Sequence, residues 1–390
     1  MIPSMDADRY LRIARLAALK DAAALTDALD ALTDSPDQIA TTLRAHHIAS
    51  LVHASLDSPS ERAWFGALLD AIDRLTRFPF PTATECMTGF DEVRERLGAR
   101  DVDVLLLKGV YFAERLYGGS RWRPQFDVDI LIPAAARRRA HRTLIDAGFQ
   151  RTAYDLHSAT FSRDRLKVDV HAWLRRAPAY HLDERLIWST ARCVTLADRE
   201  VRTLSDEYAL VMVVLSTFED LGQGMARLKQ FVDAYLLLRQ MDASTDWAAF
   251  FDRRTRENVG AIAVVVLDLL VQLFEAAGEV PRLSEALEAR RGSFATMTRP
   301  AMLDLVFAAR KDPRSMEWFR NVYPGTLSRY LLWFWVAGFP ANVTVPSLSH
   351  AIAAGRVAFG RGRTRSAAVT EHTEPEGSRI TRNHTDQRIE

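Results

Sequence analysis

The spacing of apolar residues changes character twice along the chain. From about residue 6 to 97 apolar positions recur three and four apart, as in Tyr10, Leu11, Ile13, Ala14, Leu16 and Ala17, then Leu25, Ala28, Leu29 and Leu32. That period is one face of a helix. Ser35-Pro36 breaks the pattern, Ile39 to Leu56 resumes it, and helices follow from Glu61 to about Arg77 and from about Thr84 to Leu97. From about 98 to 200 the pattern becomes short apolar runs and strict alternation. Asp103–Leu107, Phe126–Ile132, Phe149–Ala153, Ala159–Arg163 and Lys167–Trp173 read as strands. Between them lie helices from Val110 to Tyr117, closed by Gly118-Gly119, and from Ala134 to Ala147, capped by Gly148.

Beyond about 204 the helical period returns. Ser205-Asp206-Glu207 has the character of a helix start and precedes the apolar run Tyr208–Leu215. Met225–Gln240, Trp247–Arg256, Val259–Ala277, Leu283–Arg290, Ala301–Ala309, Gly325–Ala337 and Ser347–Phe359 read as further helices. From Gly360 to Glu390 large apolar residues almost vanish, which predicts a disordered tail. The pattern as a whole predicts an α+β fold: a small mixed sheet with helices mainly on one face, flanked by helical regions. The expected organisation is an N-terminal helical region (1–97), a core (98–203), a C-terminal helical domain (204–359) and a tail (360–390).

Composition narrows the class. A chain of 390 residues that is 48% hydrophobic can bury substantial cores. Its 51 Lys and Arg against 50 Asp and Glu give a net charge of +1, so no basic field points to nucleic acid as partner. The two cysteines, Cys86 and Cys193, form no disulfide framework or thiolate metal motif, and a reducing compartment is the default. The N-terminus lacks a basic flank and an apolar signal core. The longest apolar stretches, Ala261–Phe274 and Tyr330–Phe339, are too short or interrupted to span a bilayer. A soluble cytoplasmic protein without a membrane partner is expected.

The candidate chemistry centres on Phe126-Asp127-Val128-Asp129-Ile130-Leu131-Ile132. Alternate residues of a strand share a face, so Asp127 and Asp129 point together while Val128 and Ile130 turn to the other side. Paired hard oxygens suit a divalent cation, most naturally Mg²⁺. A solvent-facing strand end is the plainer alternative. Upstream, Leu105-Leu106-Leu107-Lys108-Gly109 places a cation and a glycine at a strand–helix junction, where backbone can approach an anion closely. Downstream, Leu166-Lys167-Val168-Asp169-Val170-His171 sets Asp169 and His171 on one face of another strand.

Other features weigh toward packing. His46-His47 and His53 have no carboxylate or third histidine at ligand spacing, so ordinary helix-surface and loop histidines are expected. Arg137, Arg138, Arg139 and Arg142 read as the solvated face of an amphipathic helix. Trp122 and Trp173 read as core rather than base-stacking groups. Leu331-Leu332-Trp333-Phe334-Trp335 reads as buried rather than as a partner patch.

Leu107-Lys108-Gly109, Arg123-Pro124, Asp127-Val128-Asp129-Ile130-Leu131-Ile132 and Val168-Asp169-Val170-His171 together resemble the uncharacterised nucleotidyltransferase family of the polymerase-β superfamily. The match is strong over roughly the middle quarter, and helical flanks of similar character extend it over most of the chain before the tail. One departure stands out: better-known superfamily members carry Gly-Ser or Gly-Gly where this chain has Lys108-Gly109-Val110. Gly118-Gly119-Ser120 supplies that dipeptide nearer the Asp pair, so two loops compete for the phosphates, with Lys108-Gly109 favoured.

The resemblance implies Mg²⁺-dependent transfer of an NMP from an NTP to a hydroxyl or phosphate acceptor, a small molecule or a protein. Asp127, Asp129 and Asp169 would hold two Mg²⁺ ions, Asp169 would help deprotonate the acceptor, and Lys108, Gly109 and Arg123 would bind the nucleotide. For Arg121 a surface salt bridge is expected instead. The helix carrying Arg227, Lys229 and Asp233 would lie beside the cleft, although a solvent-facing stripe explains the same residues. A catalytically inactive nucleotide-binding or protein-interaction module on the same fold is the alternative. A metal-dependent phosphohydrolase would use the same aspartates but lacks an added His/Asp cluster.

Overall fold

The computed structural model describes residues 4–76, 83–119, 121–123, 127–154, 157–175, 180–196, 198–291 and 298–307. The sequence-predicted helices at Gly325–Ala337 and Ser347–Phe359, the tail from Gly360, the apolar cluster at Leu331–Trp335, and Ser120 and Pro124 of the motifs lie outside the described residues.

Among the described residues, seven helices precede the first strand: α1 (Ser4–Leu19), α2 (Ala22–Asp30), α3 (Pro36–Ala45), α4 (Ala49–Ser55), α5 (Pro59–Trp64), α6 (Gly66–Thr76) and α7 (Ala83–Gly98). Two expected helices are each split. Ser35-Pro36 starts a helix as well as ending a pattern: the Ser35 hydroxyl accepts from the Gln38 backbone N–H while Gln38 accepts from Ser35, a reciprocal cap with Pro36 at the first helical position. The run from Ile39 to Leu56 breaks at His46-His47-Ile48, where His47 takes a left-handed backbone (φ 57°). The run from Glu61 breaks at Phe65 between α5 and α6.

The sheet contains β1 (Leu105–Leu106), β2 (Val128–Leu131), β3 (Gln150–Tyr154), β4 (Ser158–Arg163), β5 (Leu166–His171), β6 (Arg192–Leu196) and β7 (Arg199–Thr203), in the spatial order β3-β4-β5-β2-β1-β7-β6. It is mixed. β2 runs parallel to β5 and antiparallel to β1, whereas β1 runs parallel to β7. The helix α8 (Val110–Tyr117) joins β1 to β2, and α9 (Arg137–Asp146) follows β2 after a single 3₁₀ turn. Past α10 (Glu184–Ser189), the hairpin β6–β7 adds an edge that the apolar pattern did not predict. Its strands are half polar, and its turn is marked only by Asp198 at φ 62°.

β2 is buried along its whole length, with α7 packed against it and β5; Gly89 of α7 sits directly against the Leu166 side chain. Val128, Ile130, Val168 and Val170 are fully buried, as expected of the apolar face. The C-terminal helices are α11 (Asp206–Gln223), α12 (Leu228–Met241), α13 (Trp247–Arg256), α14 (Gly260–Leu273), α15 (Pro281–Arg291) and α16 (Arg299–Phe307). α14 is apolar nearly all round because it is the buried centre of this layer. No helix among the described residues is long and apolar enough to cross a membrane.

One hydrophobic core runs from α1 through the sheet to α16. Segments distant in sequence also meet at its partly exposed margin: Arg15 of α1 pairs with Glu279, and Arg299 of α16 with Asp8 at 2.7 Å. Ile130, fully buried in the central strand, carries this core next to the acidic residues. Ile130→Ala is expected to lower stability by about 2–5 kcal/mol, measured as a reduced urea midpoint with an unchanged slope.

Candidate functional site

Parallel pairing of β2 with β5 sets Asp129 beside Asp169, and two residues back the Lys167 ammonium reaches the Asp127 carboxylate. All four side chains, with His171, therefore project from the sheet face opposite α7. Asp129 is 3% exposed. Its Oδ1 lies 3.1 Å from His171 Nε2 and 3.5 Å from Lys108 Nζ. Its Oδ2 is buried with no hydrogen-bond partner. Burial alone would raise the Asp129 pKa, but Lys108 and the His171 bond outweigh it and hold the carboxyl well below the usual range. Burial keeps His171 neutral, its pKa lowered despite the adjacent carboxylate, so Nε2–H donates to Asp129. Asp127 is shifted the other way, by burial first and then by the neighbouring Asp129 charge.

Asp169 is held from both sides. Thr160 on β4 donates to its Oδ1 at 2.6 Å, and Lys167 Nζ lies 3.4 Å from its Oδ2 and 3.5 Å from Asp127 Oδ2. Nothing in the linear pattern gives Lys167 a role. Its alternation with Asp169 was visible, but its reach to Asp127 depends on which strands are neighbours.

Lys108 and Gly109 form the turn from β1 into α8. Gly109 adopts φ 62° and ψ −118°, a backbone open essentially to glycine alone, and serves as the N-cap. Gly118-Gly119, the competing loop, lies at the other end of the helix, where Gly118 is the left-handed C-cap. The α8 N-terminus, with its partial positive charge, therefore belongs to Lys108-Gly109.

Lys108, Gly109, Asp127 and Asp129 line one cavity of about 250 Å³. Ser216 and Asp220 of α11, and Lys229, Gln230 and Asp233 of α12, close it from the other side together with Arg227 and His47. The helix bearing Arg227, Lys229 and Asp233 thus faces the cleft rather than solvent. Burial pushes Lys229 down to about 8, with Arg123 adding to the shift. His47, expected to be an ordinary loop histidine, is a cavity wall that burial and the nearby Lys229 push down to about 3. His46 is buried, its ring 4.7 Å from that of Phe307.

Arg123 reaches the cavity differently from the expectation of a phosphate ligand. Its guanidinium is buried and donates to both carboxylate oxygens of Asp233, each at 2.8 Å, and to the Gly109 carbonyl at 3.0 Å. Tyr117 adds a hydrogen bond to Asp233 at 2.7 Å. Arg123 therefore locks the Lys108-Gly109 turn to α12, a bidentate geometry that lysine could not supply. Arg121, as expected, pairs at the surface with Asp57 at 3.2 Å. Arg137 lies over the Tyr154 and Trp173 rings, away from the cavity lining.

The donor set bears on a cation. Asp129 Oδ2 is a buried acceptor without a partner, and Asp127 opens into the same cavity, a pair suited to one hard ion. Among the described residues no three His, Cys, Asp or Glu side chains converge closely enough to hold a metal together.

The profile of a family described as "Uncharacterised nucleotidyltransferase" matches residues 33–275, more than half of the chain. No curated protein matches it. Among solved structures, ANT(2″)-Ia in complex with adenylyl-2″-tobramycin is similar at 16% identity, over 43% of this chain and 97% of that one, with a TM-score of 0.34. An antigenic nucleotidyltransferase-like protein from Paracoccidioides brasiliensis is similar at 18% identity, over 53% of this chain and 94% of that one, also with a TM-score of 0.34.

Removing one partner of a buried ion pair leaves the other charge uncompensated. Asp233→Ala is expected to cost about 3–5 kcal/mol, whereas Arg121→Ala at the exposed pair stays within about 0.5 kcal/mol. Chemical denaturation of the two variants checks both values.

Proposed function

We propose, from the premise that this chain belongs to the uncharacterised nucleotidyltransferase family, that it moves an NMP from an NTP to a hydroxyl or phosphate acceptor on a small molecule or protein. The observation that carries this reading is the convergence of Asp127 and Asp129 with the Lys108-Gly109 turn on one cavity. Carboxylates alone would repel a nucleotide. Set against a helix N-terminus and a lysine, they form a site for a metal-bound polyphosphate.

In this reading Asp129, ionised through Lys108 and His171, and Asp127 hold Mg²⁺. A divalent ion there would stabilise charge on the phosphoryl oxygens during transfer. Lys108 and the N–H groups at the start of α8 bind the triphosphate. Lys229 and Arg227, across the cavity, supply further positive charge. Asp169, beyond Asp127 on the next strand, accepts the proton of the acceptor hydroxyl. Arg123 is assigned a positioning role, since three of its N–H groups tie the Gly109 carbonyl to Asp233. The near-neutral chain charge favours an acceptor other than nucleic acid.

Titration calorimetry with each NTP, with and without Mg²⁺, tests the reading. Wild type should bind at least one NTP only with Mg²⁺, and Asp127→Asn/Asp129→Asn should weaken that binding by at least the roughly 10–100-fold that loss of an outer partner costs a metal site. A folded wild type that binds no NTP would sink the proposal. Release of pyrophosphate from the bound NTP, once an acceptor is supplied, separates transfer from binding alone.

Lys229 gives a pH signature. With its pKa near 8 it is mostly charged at pH 7 and loses its proton as the pH rises to 9. NTP affinity should therefore fall between pH 7 and 9 in wild type and stay level in Lys229→Arg, whose charge persists. An equal fall in both proteins would assign the pH effect elsewhere.

A further inference from the structure

The Asp127–Asp169 gap raises a question about the second ion that the family resemblance implies. An ion shared by these two carboxylates would have to lie between them. That position is taken by a side chain of the protein itself: Lys167 Nζ is 3.5 Å from Asp127 Oδ2 and 3.4 Å from Asp169 Oδ2. Lys167 lies two residues before Asp169 on the same face of β5. The remaining Asp169 oxygen is used by Thr160. The Lys167 contact to Asp127 is to Oδ2, and Asp129 Oδ2 is buried without a partner. The oxygens left open thus belong to the Asp127–Asp129 side alone.

The charges agree with that division. Three carboxylates face the two ammonium groups of Lys108 and Lys167, which leaves one negative charge in excess on this face. A single divalent ion neutralises it and leaves one positive charge for a polyphosphate. A second divalent ion in the same gap would meet direct repulsion at close range from the Lys167 ammonium held there by both carboxylates.

We propose that Lys167 is a tethered cation standing in for the second ion, so that the protein binds one exchangeable divalent cation, on Asp127 and Asp129. This rests on the nucleotidyltransferase reading and deepens it. The ammonium keeps Asp127 and Asp169 apart at fixed positions, as a shared metal would, but cannot accept an acceptor oxygen as a ligand. Activation of the acceptor then falls to Asp169 alone.

The test counts Mn²⁺ bound by the full-length protein, without nucleotide, from the electron paramagnetic resonance signal of the free ion. Wild type should bind one Mn²⁺ per chain, and Lys167→Arg, which keeps the charge, should also bind one. Lys167→Met frees the Asp127–Asp169 gap and should bind two, with circular dichroism confirming its fold. Two ions in wild type would overturn the tethered-cation role while leaving the metal-dependent reading intact. One ion in both wild type and Lys167→Met would likewise overturn it. No ion in any of the three proteins would overturn this inference, while Mg²⁺-dependent NTP binding by wild type would separately uphold the reading it rests on.

Discussion

Parallel register between β2 and β5 is the constraint that everything near the cavity answers to. It brings three carboxylates onto one face of two adjacent strands, in a place that the core would otherwise fill with apolar side chains. Like charges this close are tolerated only if each is matched. The structure supplies partial matches locally: Lys108 and His171 for one Asp129 oxygen, Lys167 between Asp127 and Asp169, and Thr160 for the other Asp169 oxygen, while Asp129 Oδ2 stays open. The opposite face of the same strands carries Val128, Ile130, Val168 and Val170 into the core. Two-residue alternation thus lets one pair of strands be structural on one side and chemical on the other.

A second interaction keeps that chemical face in shape. Arg123 joins the Gly109 carbonyl to Asp233, 110 residues away in sequence. It fixes α12, and with it Lys229, relative to the turn at the head of α8. An isolated buried ion pair contributes little net stability against an apolar replacement. Its value here is geometric, because a planar fork held by three acceptors leaves the turn and the helix little freedom to slide past one another.

How far the chain could be read without coordinates depended on the range of the interaction. Asp127, Asp129, Asp169 and the turn at Lys108-Gly109 were legible because alternation and a glycine junction are local signals. The helix Val110–Tyr117 and the helix Trp247–Arg256 were legible for the same reason. The β6–β7 hairpin was missed because its edge strands mix polar and apolar residues and its turn has no glycine. The break at His46-His47 lacks glycine or proline too, and it moves His47 from an expected loop surface into the cavity wall. Arg123 was recognised, but its partner was not, since nothing in a linear pattern tells an arginine which distant aspartate it will meet. Lys167 fell between these cases: its face was local information, its two contacts were not.

The contacts between α1 and the C-terminal helices set an order for the nascent chain. Arg15 and Glu279 are 264 residues apart and Arg299 and Asp8 are 291 apart, and the apolar side of α1 is buried in the same shared core. At a synthesis rate of roughly 5–20 residues per second, α1 emerges on the order of 15–60 s before its last partners. During that interval its Tyr10, Leu11, Ile13 and Leu16 face water or whatever else is within reach. Contacts this distant in sequence also close large loops late, which slows the search for the native state. A helix made well before its partners is among the last to be finished, and the protein's exposure to chaperones and to premature association is written into that delay.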